Sequence, residues 1–174
     1  MNVSDLLTEA YDRLPDLVRA AVDGLGPEHL RWAPGPGANS IGWLVWHLTR
    51  VQDHHVADLL DADQVWVSGD WAGRFGLTAD PDNTGYGHSA DQVETVRPES
   101  AQALVDYYEA VASRTGSFLV GLRPADLDRV VDESWDPPVT LGVRLVSIVD
   151  DDLQHVGQAA YVRGLIDASA GKGR

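Results

Sequence analysis

The sequence predicts an all-α protein that folds as a four-helix bundle. Four long segments place apolar residues three and four positions apart, which is the spacing of one buried helix face. No two segments alternate apolar and polar residues as a pair of strands would. The chain has 174 residues, the size of one domain. We therefore expect one bundle domain over residues 1–168 and a flexible tail over residues 169–174.

The first two helices come from the first third of the chain. The first is predicted over residues 4–21, and Pro15 is expected to kink it. A loop rich in proline and glycine follows, and either Asn39 or Ser40 can cap the next helix. The second helix is predicted over residues 41–60.

A long polar connection separates the second helix from the third. Residues 61–88 are expected to be irregular and to pack through their aromatic side chains. This length is sufficient to carry the chain back along the bundle, so the second and third helices can be parallel. Ser89 is expected to open a short helical turn, and Pro98 to occupy the first position of a third helix that ends near Leu119.

A second irregular connection leads to the last helix. Residues 121–138 are rich in turn formers and end in the pair Pro137-Pro138, which a helix does not accommodate. Thr140 is expected to cap a fourth helix that extends to about Ile166.

The composition excludes several classes of function. Lys and Arg number 13 against 27 Asp and Glu, so the formal net charge of -14 disfavours binding to nucleic acid or anionic lipid. The chain has no cysteine, so any thiol in its chemistry must come from a second molecule. No apolar run approaches the roughly 18 residues of a membrane span, and no signal segment is evident. We expect a cytoplasmic protein without a membrane partner.

The inner face of the fourth helix contains an acid and a histidine. At 100° per residue, Asp151 and His155 lie one turn apart and face the same side as core residues. A buried carboxylate is costly unless a cation compensates it, and a divalent metal would do so. His47 has the phase of the inward-facing leucines of the second helix and offers a third ligand. Three ligands leave coordination positions open, as in catalytic zinc sites, although nickel or iron would accept the same ligand types.

Alternatives remain at this helix. Asp152 is one residue away from Asp151 and reaches His155 at three residues' spacing, so it is a candidate ligand or a group that orients the ligands. Gln158 is a candidate for orienting His155. Without a metal, Asp151 and His155 would form an ordinary solvated ion pair.

Other polar residues are candidates for contact with a ligand. Arg144 and Arg50 lie near the predicted centre and can each hold an anionic group, or form a structural ion pair instead. His54 is expected to line a pocket, whereas the neighbouring His55 is assigned to the surface. His88 lies in a loop that can fold over the mouth of the bundle.

Two motifs resemble a known family. The residues Ser-Ile-Gly-Trp-Leu-Val-Trp-His-Leu at 40–48, with Asp151-x-x-x-His155-x-Gly157-Gln158, resemble the DinB/YfiT-like metalloproteins. The resembling branch contains the mycothiol-dependent maleylpyruvate isomerases and mycothiol S-transferases, and the resemblance covers nearly the whole chain. It implies an up-down-down-up bundle with a divalent metal, usually zinc, at His47, Asp151 and His155. Many members have His or Glu where Asp151 stands.

The resemblance also implies a reaction. Similar enzymes use a low-molecular-weight thiol, mycothiol or a related molecule, as co-substrate, and a metal with an open position lowers the pKa of a thiol bound there. The implied activity is transfer of that thiol to a small electrophile, or isomerisation of the electrophile. The alternative is a metal- or ligand-binding bundle without turnover, acting in stress or resistance. The sequence names neither the electrophile nor the metal, and it leaves a homodimer open.

Overall fold

The computed structural model describes residues 1–171 and is mostly helical. In chain order the elements are α1 (Val3–Tyr11), α2 (Leu14–Val22), α3 (Pro27–Arg31), α4 (Ile41–Leu60), α5 (Val65–Ser68), α6 (Trp71–Arg74), α7 (Ala90–Val93), α8 (Ala101–Val120), a 3-10 helix (Pro124–Asp128), β1 (Val130–Asp132), β2 (Val139–Thr140) and α9 (Leu141–Gly171). The predicted four-helix bundle is confirmed: its arms are α1 with α2, then α4, α8 and α9.

The first arm is broken and not merely kinked. Helix α1 ends at Tyr11 and α2 begins at Leu14, with Pro15 in its first turn. A proline is tolerated there because the first turn of a helix has no backbone acceptor for its missing N–H. The expected kink is therefore a break three residues before the proline.

Helix α4 runs antiparallel to α9. The rings of His47 and His155 pack with their centroids 4.8 Å apart. Further along α4, His55 contacts Arg144, which lies earlier in α9. These two contacts place the beginning of α4 against the middle of α9, so His47 and His155 share one side of the bundle.

Helices α4 and α8 are parallel. Tyr107 donates to Asp53 near the middle of both helices, and Arg114 donates to the carbonyl of Asp63 just beyond the end of α4. The first arm is antiparallel to α8, since Ser4 donates to the carbonyl of Leu119. The bundle is thus up-down-down-up, with the long connection returning the chain between its parallel members.

The connection between α4 and α8 is folded more fully than the sequence indicates. It contains α5, α6 and α7, and its Trp66 and Phe75 are fully buried with their rings 5.7 Å apart. The expected packing by aromatic residues is therefore present. Helix α8 begins at Ala101 and not at Pro98, because the Ser100 side chain accepts from the N–H of Ala103.

The second connection contains a short hairpin that the sequence does not reveal. Strands β1 and β2 pair antiparallel. They have three and two residues, too few for an alternating pattern to be read. Thr140 accepts from the N–H of Val143 as the last helix begins. Helix α9 continues to Gly171, beyond the expected end at Ile166, and residues 172–174 lie outside the described residues.

The core lies where the four arms meet. Its largest fully buried side chains include Trp46, Trp66, Tyr107 and Tyr108. Across residues 1–171, no helix is both long enough and apolar enough to cross a membrane.

Candidate metal centre and adjoining cavity

His47 is held in a fixed orientation on α4. Ser40 caps this helix by accepting from the N–H of Trp43, whose ring then stacks on the His47 imidazole with centroids 4.5 Å apart. The His47 Nδ1 lies within hydrogen-bond distance of the backbone carbonyl of Thr84. Because a carbonyl only accepts, the proton is on Nδ1 and the lone pair is on Nε2. Burial lowers the pKa of His47 below its ordinary value, so the neutral, metal-binding form predominates at neutral pH.

His155 has a matching arrangement on α9. Its Nδ1 lies 3.0 Å from the side-chain oxygen of Gln158, which accepts the Nδ1 proton. Its Nε2 lies 3.6 Å from Oδ1 of Asp151. Both imidazoles thus have Nδ1 engaged by an oxygen and the Nε2 lone pair available, which is how metal-binding histidines are oriented in proteins.

Asp151 completes the cluster. Ligand atoms of His47, Asp151 and His155 all lie within 4.8 Å of one another. Oδ2 of Asp151 is buried and has no hydrogen-bond partner among residues 1–171. A buried carboxylate oxygen without a donor is costly, and a cation between these three side chains would satisfy it. The donor set of two imidazoles and a carboxylate therefore fits a divalent metal of the zinc type.

Asp152 faces away from this cluster. Its side chain is fully buried, and neither carboxylate oxygen has a partner in the described part of the chain. Burial, with the nearby charge of Asp151, raises its pKa well above the ordinary value. Its charge in turn contributes to the raised pKa of both Tyr11 and Tyr108, which are core residues of other arms. Consecutive residues of a helix point about 100° apart, so Asp152 faces the core while Asp151 faces the cavity. The expected role of Asp152 as a ligand or as an orienting group therefore does not fit the structure.

A cavity of about 440 Å³ adjoins His47 and Asp151 of the cluster. It lies between α4, α9 and the segment 82–86 of the long connection. The lining residues are His47, Val51, His54, His55, Asp82, Thr84, Tyr86, Ser147, Ile148 and Asp151. The cluster therefore faces a space large enough for a small organic molecule.

Two neighbouring histidines of α4 line this cavity. The side-chain nitrogen of Gln64 donates to the carbonyl of Pro81 at 3.2 Å, which fixes the orientation of the amide. The same nitrogen lies 3.0 Å from Nδ1 of His54, so Nδ1 accepts and the proton of neutral His54 is on Nε2. His55 also lines the cavity and is half-buried, so its assignment to the surface is wrong.

The His55 side chain is kept neutral by its surroundings. Burial, together with the charge of Arg144, lowers the pKa of His55 to about 4. The Arg144 guanidinium is itself paired with Asp132 of β1 at 2.7 Å. Arg144 is not among the residues that line the cavity. Of the two roles open to it, the structural ion pair is the one observed.

Arg50 is not available to a bound anion, contrary to its candidate role. Its side chain is fully buried and its guanidinium lies 3.4 Å from the Asp53 carboxylate. It also donates to the backbone carbonyls of Asn83 and Pro81 and lies over the Trp66 ring at 5.0 Å. Arg50 thus attaches the long connection to α4.

His88 packs against Trp43 and Trp46 and does not line the cavity. Its Nδ1 accepts from the indole N–H of Trp43 at 3.2 Å, and its Nε2 lies 2.9 Å from the side-chain oxygen of Asn83. Its ring stacks on Trp46 with centroids 5.8 Å apart. The loop does fold onto the bundle, but His88 supports the Trp43 ring on which His47 stacks.

Sequence reasoning missed the contribution of segment 82–86. The signal that could have revealed it is Gly85, whose φ of +90° suits glycine. A Cβ at this position would lie 2.8 Å from Nδ1 of His47. The glycine therefore lets the backbone approach the imidazole closely enough for Thr84 to accept its proton.

The up-down-down-up bundle with a His/Asp/His cluster at its open cavity defines a DinB-like helical protein. Within that class, the chain matches the mycothiol-S-transferase family over residues 6–168 and belongs to it. A crystal structure of a conserved protein from Enterococcus faecalis is similar, with a TM-score of 0.88 and 32% sequence identity. That similarity covers 97% of this chain and 99% of the other. No match was found among curated proteins.

Proposed function

We propose that this protein is a metal-dependent S-transferase that joins mycothiol or a related thiol to a small electrophile. His47, Asp151 and His155 hold the divalent metal, most simply Zn²⁺. The observation that carries the proposal is the pair of imidazoles with Nδ1 engaged and Nε2 available, beside the partnerless Asp151 oxygen. Family membership supports mycothiol as co-substrate, and transfer as the reaction.

The metal supplies what the chain lacks. A divalent cation with an open coordination position lowers the pKa of a bound thiol, which then becomes a nucleophile near neutral pH. The chain has no cysteine, so the sulfur comes from the co-substrate. In transfer with displacement, a carbon–sulfur bond forms, the leaving group departs with the electron pair of its bond, and the thiol proton passes to solvent.

The residues of the chain position and shield the reactants. Thr84 and Gln158 fix the two imidazole rings, so the ligand directions are set before a metal binds. Val51 and Ile148 give the cavity an apolar side on which the carbon skeleton of an electrophile can pack. The cavity thus brings an electrophile beside the ligand cluster.

The metal centre is tested by elemental analysis of untagged protein purified without chelator. Wild type is expected to contain close to one divalent ion per chain, and His47→Ala and His155→Ala to lose it. His29→Ala is the matched control, because His29 is exposed and outside the cluster. Wild type without metal, even after divalent ions are added back, would overturn the metal site.

Turnover is tested separately on the metal-loaded protein. Saturable, mycothiol-dependent conversion of an electrophile is expected in wild type and should be lost in His47→Ala. A metal-binding bundle without turnover would contain the ion and show no acceleration with any thiol. That result would leave the metal site standing and reject the transferase.

A further inference from the structure

The cavity beside the metal centre is poor in positive charge. Among its described lining residues none is Lys or Arg, while Asp82 and Asp151 both carry carboxylates. We infer that the cavity selects electrophiles without a negative charge, and so takes uncharged or cationic molecules in preference to carboxylates. The inference deepens the proposed transferase function and rests on it.

Two arginines beside the cavity wall are both committed within the protein. Arg144 is paired with Asp132 at 2.7 Å, with its guanidinium against the His55 ring. Arg50 is fully buried and faces Asp53 and two backbone carbonyls. A carboxylate in the cavity would therefore meet no arginine ready to form the bidentate pair that proteins use for such groups.

Asp82 gives the cavity wall a negative charge of its own. It is exposed, it lines the cavity, and no hydrogen bond or ion pair within residues 1–171 engages its carboxylate. Asp151 differs, because its carboxylate and the thiolate of the co-substrate together balance the two positive charges of a divalent metal. Asp82 is thus the uncompensated charge that an incoming anion would meet at short range.

His55 of the cavity wall is a hydrogen-bonding group and not a cation. His55 is neutral at neutral pH because burial and Arg144 lower its pKa to about 4. The proton of neutral His54 lies on Nε2, since its Nδ1 accepts from Gln64. Such a wall offers an N–H donor, which suits a carbonyl, nitro or ether oxygen of a neutral molecule.

A matched pair of electrophiles tests the inference. 4-Chloro-3-nitrobenzamide and 4-chloro-3-nitrobenzoate share the leaving group and differ at one substituent, which is neutral in the first and anionic in the second. With mycothiol, sulfur bonds to the ring carbon, chloride leaves with its electron pair, and the thiol proton goes to solvent. For each compound, kcat/KM is divided by the rate constant of the uncatalysed reaction, which removes the intrinsic difference in reactivity.

The amide is expected to be accelerated at least tenfold more than the benzoate. Equal acceleration, or a preference for the benzoate, would overturn the inference while leaving the transferase intact. If neither compound is accelerated, aryl chlorides are not substrates of the proposed transferase, and binding alone decides whether the cavity selects by charge. In that arm, each compound is titrated into ¹⁵N-labelled protein without thiol, and shifts at His54 and His55 should show at least tenfold tighter binding of the amide.

Variants assign the selection to a residue. Asp82→Asn is expected to raise the ratio of benzoate to amide acceleration at least threefold. The substitution removes the negative charge of the cavity wall and leaves the side chain nearly the same size. Asp91→Asn is the matched control, because Asp91 is exposed and lies outside the cavity. A ratio that stays constant in Asp82→Asn would contradict the role of the Asp82 charge.

Discussion

Arg144 donates to Asp132 at 2.7 Å and lies 3.4 Å from both ring nitrogens of His55. The guanidinium thus joins β1, α9 and α4 at the edge of the cavity. Because it sits equally near both nitrogens, it acts on the whole imidazole as a nearby positive charge. The arginine that the sequence offers as an anion clamp instead helps to keep a cavity histidine neutral.

The first prediction concerns the pKa of His55. Arg144→Gln should raise it from about 4, because the positive charge that disfavours imidazolium is removed. It should stay below 6.5, because burial is the larger cause of the shift. Asp132→Asn should lower it further, since Asp132 favours the charged form. Histidine NMR titrations measure the pKa of His55 in wild type and in the two variants. A His55 pKa that falls in Arg144→Gln would contradict this electrostatic account.

The second prediction separates a structural Arg50 from a ligand-binding one. Arg50→Met leaves the Asp53 carboxylate buried without its cation, which should reduce the free energy of unfolding by about 3–5 kcal/mol. Arg13→Met removes the exposed pair with Glu9 and should cost less than about 1 kcal/mol. Urea denaturation measures both. An Arg50→Met protein of wild-type stability with a raised KM would restore the anion-binding interpretation.

The third prediction tests the support that the loop gives to His47. In Gly85→Ala the new methyl group meets His47 Nδ1 at 2.8 Å, so the ring or the loop must shift. Metal affinity should fall roughly 10- to 100-fold, the usual effect of losing a group that orients a ligand. Gly87→Ala is the control, because Gly87 has a similar φ of +71° and an added Cβ meets nothing within 4 Å. Competition with a chromophoric chelator measures both, and equal losses would show that backbone strain alone is responsible.

The fourth prediction concerns Asp152 and pH. Its pKa is raised above 3.8 by burial, so the folded state favours the protonated form and loses stability as pH rises through the raised value. Asparagine cannot ionise, so the free energy of unfolding of Asp152→Asn should increase relative to that of wild type as pH rises. The metal-free variant should be more stable by over about 1 kcal/mol at pH 8, with a smaller difference at pH 4.

Urea denaturation at several pH values, with chelator present, follows this difference. Asp150→Asn is the control, since Asp150 lies two positions before Asp152, is exposed and already accepts from Gln154. A difference between Asp152→Asn and wild type that shrinks as pH rises would contradict the assignment.

The parts of the molecule governed by helix periodicity could be predicted from the sequence. The bundle follows from four apolar stripes, and the shared phase of Asp151 and His155 places them on one face of α9. The same geometry fixes His47 on α4, so the three side chains meet when the helices pack. A shift of one residue, however, decides between cavity and core for Asp151 and Asp152. Periodicity alone left that choice open.

The parts that depend on the long connection could not be predicted. Arg50 faces inward whether it binds a ligand or forms an ion pair. Only the path of the long connection shows that its guanidinium donates to the carbonyls of Pro81 and Asn83. His88 is in a loop as expected, yet which ring it touches is set by non-local packing. The position of His55 against Arg144 likewise depends on the register between α4 and α9.

The orientation of His47 depends on the Thr84 carbonyl, and a carbonyl belongs to every residue type. Side chains at positions 82, 84 and 86 can therefore change without removing the acceptor that holds the metal ligand, provided that Gly85 keeps the chain on its path. Under the proposed function, reactivity and selectivity are thus encoded in separable parts of this chain. A library restricted to those three positions would vary the cavity wall and leave the proposed metal centre unaltered.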